Sequence, residues 1–194
     1  MNVAGLILAG GQSRRMGTDK SFVALNGVPL IQQVIDRARP QVSVLAVNTN
    51  SDDLRYGTLG LPLVQDLHTG FQGPLAGLHA GLTWLQFQDA EWLATFACDT
   101  PFFPTDLVQK LWDCVHASSG RAAVARSGGK THPVIGLWHQ DILADADAWL
   151  RADTHKMMAF ADHVSAALVD FSEGVKDPFE NVNAPADVVE IEKR

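Results

Sequence analysis

The stretch Val3-Ala4-Gly5-Leu6-Ile7-Leu8-Ala9 carries no polar side chain and runs straight into Gly10-Gly11. A strand with one wet face alternates apolar and polar residues. A run with no polar position is buried on both faces, and at seven residues it is too short for a typical buried helix. Such a strand needs a layer of structure above it and another below, which points to a parallel sheet between helices.

The following segments fit that demand. From Pro29 to Arg39, apolar residues at Leu30, Ile31, Val34, Ile35 and Ala38 form a helical face, stopped by Pro40. Val42 to Asn48 reads as a second strand, and Leu61 to Asp66 as a shorter third, with Pro62 marking its beginning or a sheet edge. Pro74 to Phe87 is helical through Leu75, Leu78, Leu82 and Leu85. Glu91 to Asp99 is a fourth core strand, and Pro104 to His116 a further helix. Strand and helix alternating at this spacing make βαβ units. Beyond them, Arg121–Arg126 and Pro133–Trp138 read as a hairpin around Ser127-Gly128-Gly129-Lys130. Asp141–Leu150 and Thr154–Ala161 read as helices, Val164–Phe171 as a late strand and Pro185–Lys193 as a closing helix. The expected fold is α/β: a single Rossmann-like domain over residues 1–194, with a mostly parallel sheet, helices on both faces and a short antiparallel element in the C-terminal half.

Composition narrows the partners. A formal net charge of -7 and a pI near 5.4 argue against a broad nucleic-acid-binding surface. Cys98 and Cys114 have 15 residues between them, which is neither a disulfide framework nor a metal-binding CxxC pair, and they read as small buried side chains. The first apolar run lacks a basic lead and is not read as a signal peptide, and no run approaches the roughly 20 residues that span a bilayer. A cytoplasmic protein without nucleic-acid or membrane partners is the expectation.

The segment after the first strand holds Gly10, Gly11, Arg14, Arg15, Gly17 and Lys20. Glycines let backbone N–H groups approach an anion, Arg makes bidentate contacts to phosphate, and Lys adds a point charge. Three familiar patterns fail: GxGxxG and G-x-S-x-G are absent, and Thr18-Asp19 separates Gly17 from the lysine a Walker loop would need. The residues alone therefore indicate only a phosphorylated ligand. Asp99 ends a strand where open α/β sheets bind ligands, and it can be read as a Mg²⁺ carboxylate or as a turn residue before Pro101. Asp66 and Asn48 also stand at strand ends, where turn roles are equally open.

The signature Leu8-Ala9-Gly10-Gly11-x-Ser13-x-Arg15-Met16-Gly17-x-Asp19-Lys20 resembles that of nucleotidyltransferases with a GT-A-like fold. Together with Asn48-Thr49-Asn50, Gln65-Asp66, Gly73-Pro74-Leu75-Ala76-Gly77, Cys98-Asp99-Thr100-Pro101 and Asn181-Val182-Asn183-Ala184-Pro185, it is most similar to the molybdenum cofactor guanylyltransferase family. The resemblance covers essentially the whole chain. It implies transfer of GMP from GTP to the terminal phosphate of molybdenum-molybdopterin, forming a guanine dinucleotide cofactor and pyrophosphate. It assigns nucleotide contacts to Leu8, Ala9, Gly10, Gly11, Lys20, Asn48, Asp66 and Asp99, catalytic roles to Lys20, Arg15 and Asp99, and Mg²⁺ to Asp99. Residues 1–101 would mainly bind nucleotide. Residues 102–194 would mainly bind the acceptor, through Asn181 and Asn183.

Lys130, His132, Arg151, His155 and Lys156 are further candidates to supply charge to the acceptor phosphate, and His132-Pro133 is similar to a His-Pro step of that family. GTP and molybdopterin are the implied partners, with room for molybdoenzyme maturation proteins. Two rival readings stay open: a cytidylyltransferase or sugar- or polyol-phosphate nucleotidyltransferase of the same fold, and a noncatalytic nucleotide- or cofactor-binding protein.

Overall fold

The first strand, β1 (Val3–Leu8), is an interior strand of a seven-stranded sheet in a computed structural model that describes residues 1–10, 19–68, 73–172, 177–182 and 187. Its side chains alternate between two cores. Val3 and Ile7 join one, and Ala4, Leu6 and Leu8 join the other. That division is why the sequence there has no polar position.

After β1 come a small hairpin, β2 (Ala24–Leu25) and β3 (Val28–Pro29), helix α1 (Leu30–Ala38), and strands β4 (Val44–Asn48) and β5 (Leu63–Val64). Helix α2 (Gly73–Leu85), strand β6 (Trp92–Ala97) and helix α3 (Leu107–Ser118) follow. The second half adds β7 (Ala122–Ser127), β8 (Lys130–His139), α4 (Leu143–Arg151), α5 (Met157–His163) and β9 (Ala167–Asp170). The strand order is β5-β4-β1-β6-β8-β7-β9. β5, β4, β1 and β6 run parallel, β8 is antiparallel to both β6 and β7, and β9 is parallel to β7. The expected antiparallel element is present, and at ten residues β8 is longer than its Pro133 start suggested.

One core fills the space between the sheet and α1 and α3, and the other lies under α2, α4 and α5. α2 touches the sheet on one side and α4 and α5 on the other, so nearly its whole circumference from Leu75 to Leu82 is buried. Gly77 and Gly81, one turn apart, let it come close to β1. A Cβ on Gly81 would lie 2.3 Å from Leu6 Cδ2, and one on Gly77 would lie 2.4 Å from Asn48 Oδ1 and 2.7 Å from Leu8 Cδ2.

Several boundaries moved. The third strand shortens to Leu63–Val64 at the sheet edge, directly after Pro62. A 3-10 turn, Gln140–Ile142, precedes α4, and the last described helix starts at Met157 rather than Thr154. The late strand is four residues, Ala167–Asp170. The closing helix expected over Pro185–Lys193 lies outside the described residues apart from Asp187. The β2–β3 hairpin was not anticipated, although its turn, Asn26-Gly27 with φ of 53° and 77°, is a strong hairpin signal.

Candidate active site

A cleft of about 1430 Å³ opens at the carboxyl ends of β1, β4, β5 and β6. Leu8, Ala9 and Gly10 form its floor, and Lys20, Asn48, Asp66 and Asp99 stand around it. Lys130, His132 and Asn181 belong to its opposite wall. Gly11, Arg14, Arg15 and Asn183 lie outside the described residues, so the contacts expected of Gly11, Arg15 and Asn183 rest on the sequence.

Lys20 is placed by a short network. It opens a 3-10 turn, Lys20–Phe22, whose cap is Asp19: Asp19 Oδ1 accepts from the Ser21 N–H at 3.0 Å. Asp19 Oδ2 accepts from the Tyr56 hydroxyl at 3.0 Å, and that hydroxyl lies 2.8 Å from Ser21 Oγ. Burial pushes the Tyr56 phenol well above its ordinary pKa and the Asp19 charge adds to this, so the hydroxyl remains a proton donor. Lys20 Nζ then reaches Asp99 Oδ2 at 2.8 Å across 79 residues of sequence, with both side chains largely buried.

Asp99 also ties the far end of the chain to the cleft. Its backbone carbonyl accepts from the Val182 N–H at 2.8 Å, and Val182 is buried with Leu25 and Leu30. The adjoining Asn181 is thereby brought to the cleft beside the carboxylate, joining motifs from the two ends of the chain. Burial, and secondarily the Asp99 charge, pushes the thiol of the neighbouring Cys98 up to about 12, which disfavours the thiolate.

Asp66 is held from two sides. Its Oδ1 accepts from Asn48 Nδ2 at 2.8 Å and its Oδ2 from Asn50 Nδ2 at 2.6 Å. Asn50 Oδ1 accepts from the Asp66 N–H at 2.8 Å, and Asn48 Nδ2 also reaches the Val64 carbonyl at 3.1 Å. This carboxylate cannot swing without breaking several hydrogen bonds. The sequence reading named Asn48 and Asp66 but gave Asn50 and Tyr56 no role. Asn50 follows Asn48 by two residues beyond a strand, and that side-sharing spacing was the available signal. Tyr56 offered none, because its partner Asp19 is 37 residues away.

Some charge assignments for the acceptor wall need correcting. His132 lines the cleft but is nearly buried; desolvation lowers its pKa, and Asp177 at 3.9 Å only partly offsets this. Its surroundings therefore favour the neutral imidazole over the cation. Arg151 pairs with Asp147 at 3.0 Å and His155 with Asp153 at 2.8 Å, and neither these two nor Lys156 lines the cleft. Lys130 does line it.

The Gly77 approach predicts a measurable effect. Gly77→Ala drives a methyl group into Asn48, which is itself hydrogen-bonded. Overpacking of about 1–3 kcal/mol outweighs a helix-propensity gain of up to about 1 kcal/mol. The variant should melt several degrees lower, at about 2–4 °C per kcal/mol.

Residues 5–167 match the family model described as a MobA-like NTP transferase domain. The chain belongs to the MobA-like NTP transferase family. Within reach of it is a protein from Cereibacter sphaeroides named molybdenum cofactor guanylyltransferase, 45% identical over 193 residues, which are 99% of this chain and 96% of that protein. A similar structure is molybdopterin-guanine dinucleotide biosynthesis protein A from Archaeoglobus fulgidus, with a TM-score of 0.77 at 20% identity, covering 98% of this chain and 97% of that one. A 4-diphosphocytidyl-2C-methyl-D-erythritol synthase from Anaerococcus prevotii also reaches a TM-score of 0.77, at 11% identity, covering 99% of this chain and 95% of that one. At such identities the structural likeness establishes the shared α/β fold, which hosts more than one nucleotide specificity.

Proposed function

We propose that this MobA-like NTP transferase moves GMP from GTP to the terminal phosphate of molybdenum-bearing molybdopterin, yielding molybdopterin guanine dinucleotide and pyrophosphate. One observation carries the reading: a single cleft holds a carboxylate fixed by two asparagines, Asp66, and a lysine–carboxylate pair, Lys20–Asp99. Guanine presents N1–H and N2–H₂ donors along one edge, which suits a fixed acceptor such as Asp66, whereas the acceptor edge of cytosine would be repelled. The near-full-length relationship to a protein named for this activity supports the same substrate pair.

A phosphate oxygen of the acceptor attacks the α-phosphorus of GTP. A new P–O bond forms, the bond from the α-phosphorus to the bridging oxygen breaks, and pyrophosphate leaves with the electron pair. An acceptor phosphate monoester is already anionic near neutral pH, so the site needs positioning and charge neutralisation more than a strong base. The backbone of Leu8, Ala9, Gly10 and Gly11 cradles the triphosphate. Lys20 exchanges its carboxylate partner for phosphate oxygens, and the family resemblance gives Arg15 a share in neutralising the same charge. Mg²⁺ takes one or two protein carboxylates together with phosphate oxygens and water, and Asp99, an oxygen donor at a strand end within the cleft, fits that donor set. Asp99 would hold the ion, and the ion would supply positive charge against the triphosphate. Asn181 and Asn183 hold the acceptor.

In this reading residues 1–101 form the nucleotide side of one domain and residues 102–194 the acceptor side. The enzyme works in the cytoplasm, and proteins that mature molybdoenzymes receive its product. Among the described residues, no helix is long and apolar enough to cross a membrane.

The test is Mg²⁺-dependent pyrophosphate release from each of the four ribonucleoside triphosphates, with and without molybdopterin. Release should require GTP and the acceptor together. Release with CTP instead would make the enzyme a cytidylyltransferase, and GTP binding without release would make it a noncatalytic binder.

A further inference from the structure

Next to the cleft, which His68 itself lines, a second group of chemically active side chains gathers where α2 meets α4. His68 follows β5, His79 lies on α2 and Asp147 on α4. Each offers one ligand atom, and the three atoms lie within 4.8 Å of one another. The two imidazole rings meet edge to face at 5.0 Å, and His79 Nε2 is 3.7 Å from Asp147 Oδ1.

His79 is the unusual member. It is only 6% exposed, on a helix otherwise buried through leucine, alanine and glycine. Its Nδ1 is buried without a hydrogen-bond partner, and its Nε2 stands beyond normal hydrogen-bonding distance from the carboxylate it faces. A buried polar group left in this way costs stability unless something else engages it. Arg151 holds the other carboxylate oxygen of Asp147 at 3.0 Å, which leaves Oδ1 turned toward the histidines.

We propose that His68, His79 and Asp147 form a binding site for a divalent transition ion of the Zn²⁺ class, distinct from the Asp99 carboxylate. Two imidazoles and one carboxylate are a borderline-soft donor set. It suits Zn²⁺ and Co²⁺ and disfavours Mg²⁺, which prefers oxygen ligands in octahedral array. Ligand atoms at these separations close on a tetrahedral ion with small side-chain adjustments. Three protein ligands leave a position for water. His68 lies two residues beyond Asp66, so a bound ion would fasten the segment after the base-reading carboxylate to α2 and α4. The site itself does not depend on the nucleotidyl-transfer reading.

The test uses Co²⁺ and Zn²⁺ on the metal-free full-length protein, without nucleotide. One Co²⁺ per chain should bind with the visible absorption of a low-coordinate site, be displaced by Zn²⁺, and be unaffected by a large excess of Mg²⁺. His68→Ala and Asp147→Asn alter accessible side chains and should each weaken binding by about 10- to 100-fold or more. His79→Gln, with its fold checked by thermal melting, should abolish the absorption. Absence of Co²⁺ binding to the parent protein, or undiminished binding in both His68→Ala and Asp147→Asn, would overturn the proposal.

Discussion

Lys20→Ala is expected to lower kcat for pyrophosphate release by about 100- to 1000-fold, the scale of losing one preorganised stabiliser of transition-state charge. Asp99→Ala should cost at least as much, since it removes both the proposed Mg²⁺ carboxylate and the partner that aims Lys20. The two residues touch each other at 2.8 Å, so the double variant should fall well short of the product of the single effects. Stability should change little. The pair is largely but not fully buried, at 13% and 22% side-chain exposure, and an ion pair that still meets solvent is worth about 1 kcal/mol or less. Steady-state kinetics beside thermal melts separate the two effects. Turnover near that of the parent enzyme in either single variant would remove that residue from the mechanism.

The sheet was legible because β1, an interior strand, is buried on both faces, which forced an uninterrupted apolar run. β4 and β6 repeat the effect, with Leu45, Val47, Ala94 and Phe96 in one core and Ala46 and Leu93 in the other. Helix ends were less legible. α3 begins at Leu107 rather than at Pro104, and it ends at Ser118, after which Ser119, with a φ of 52°, turns the chain so that the Gly120 N–H closes back on the Val115 carbonyl at 3.0 Å. Nothing in the identity of a serine announces that conformation. For the site, the strand-end residues Asn48, Asp66 and Asp99 could be picked from one sheet edge. Their partners could not, because Tyr56 acts on Lys20 through Asp19 and Val182 reaches Asp99 from the far end of the chain. Charge assignments fared worst in the acceptor wall. A histidine's charge depends on burial, and His132 is buried by Phe179, whose ring lies 4.9 Å away and 47 positions later.

Asp66→Asn should strike base selection rather than chemistry. The substitution keeps size and shape but replaces one acceptor oxygen by an NH₂ group. That group meets the donors of guanine with a donor of its own, and the hydrogen bond from either Asn48 or Asn50 is lost as well. Hydrogen bonds to a charged group contribute about 1.5–3 kcal/mol, so kcat/KM for GTP should fall by about 10- to 100-fold. The loss should lie mainly in KM, because the base contact is made equally in ground and transition states. The ratio of GTP to CTP turnover should fall with it. Asn50→Ala provides the graded control. It leaves the carboxylate in place but removes one of its two amide clamps, so it should raise KM for GTP by a smaller factor and partly relax discrimination. If Asp66→Asn keeps both the parent KM for GTP and the parent preference for GTP over CTP, the base is read elsewhere, and the clamp on Asp66 serves only to shape the edge of the sheet.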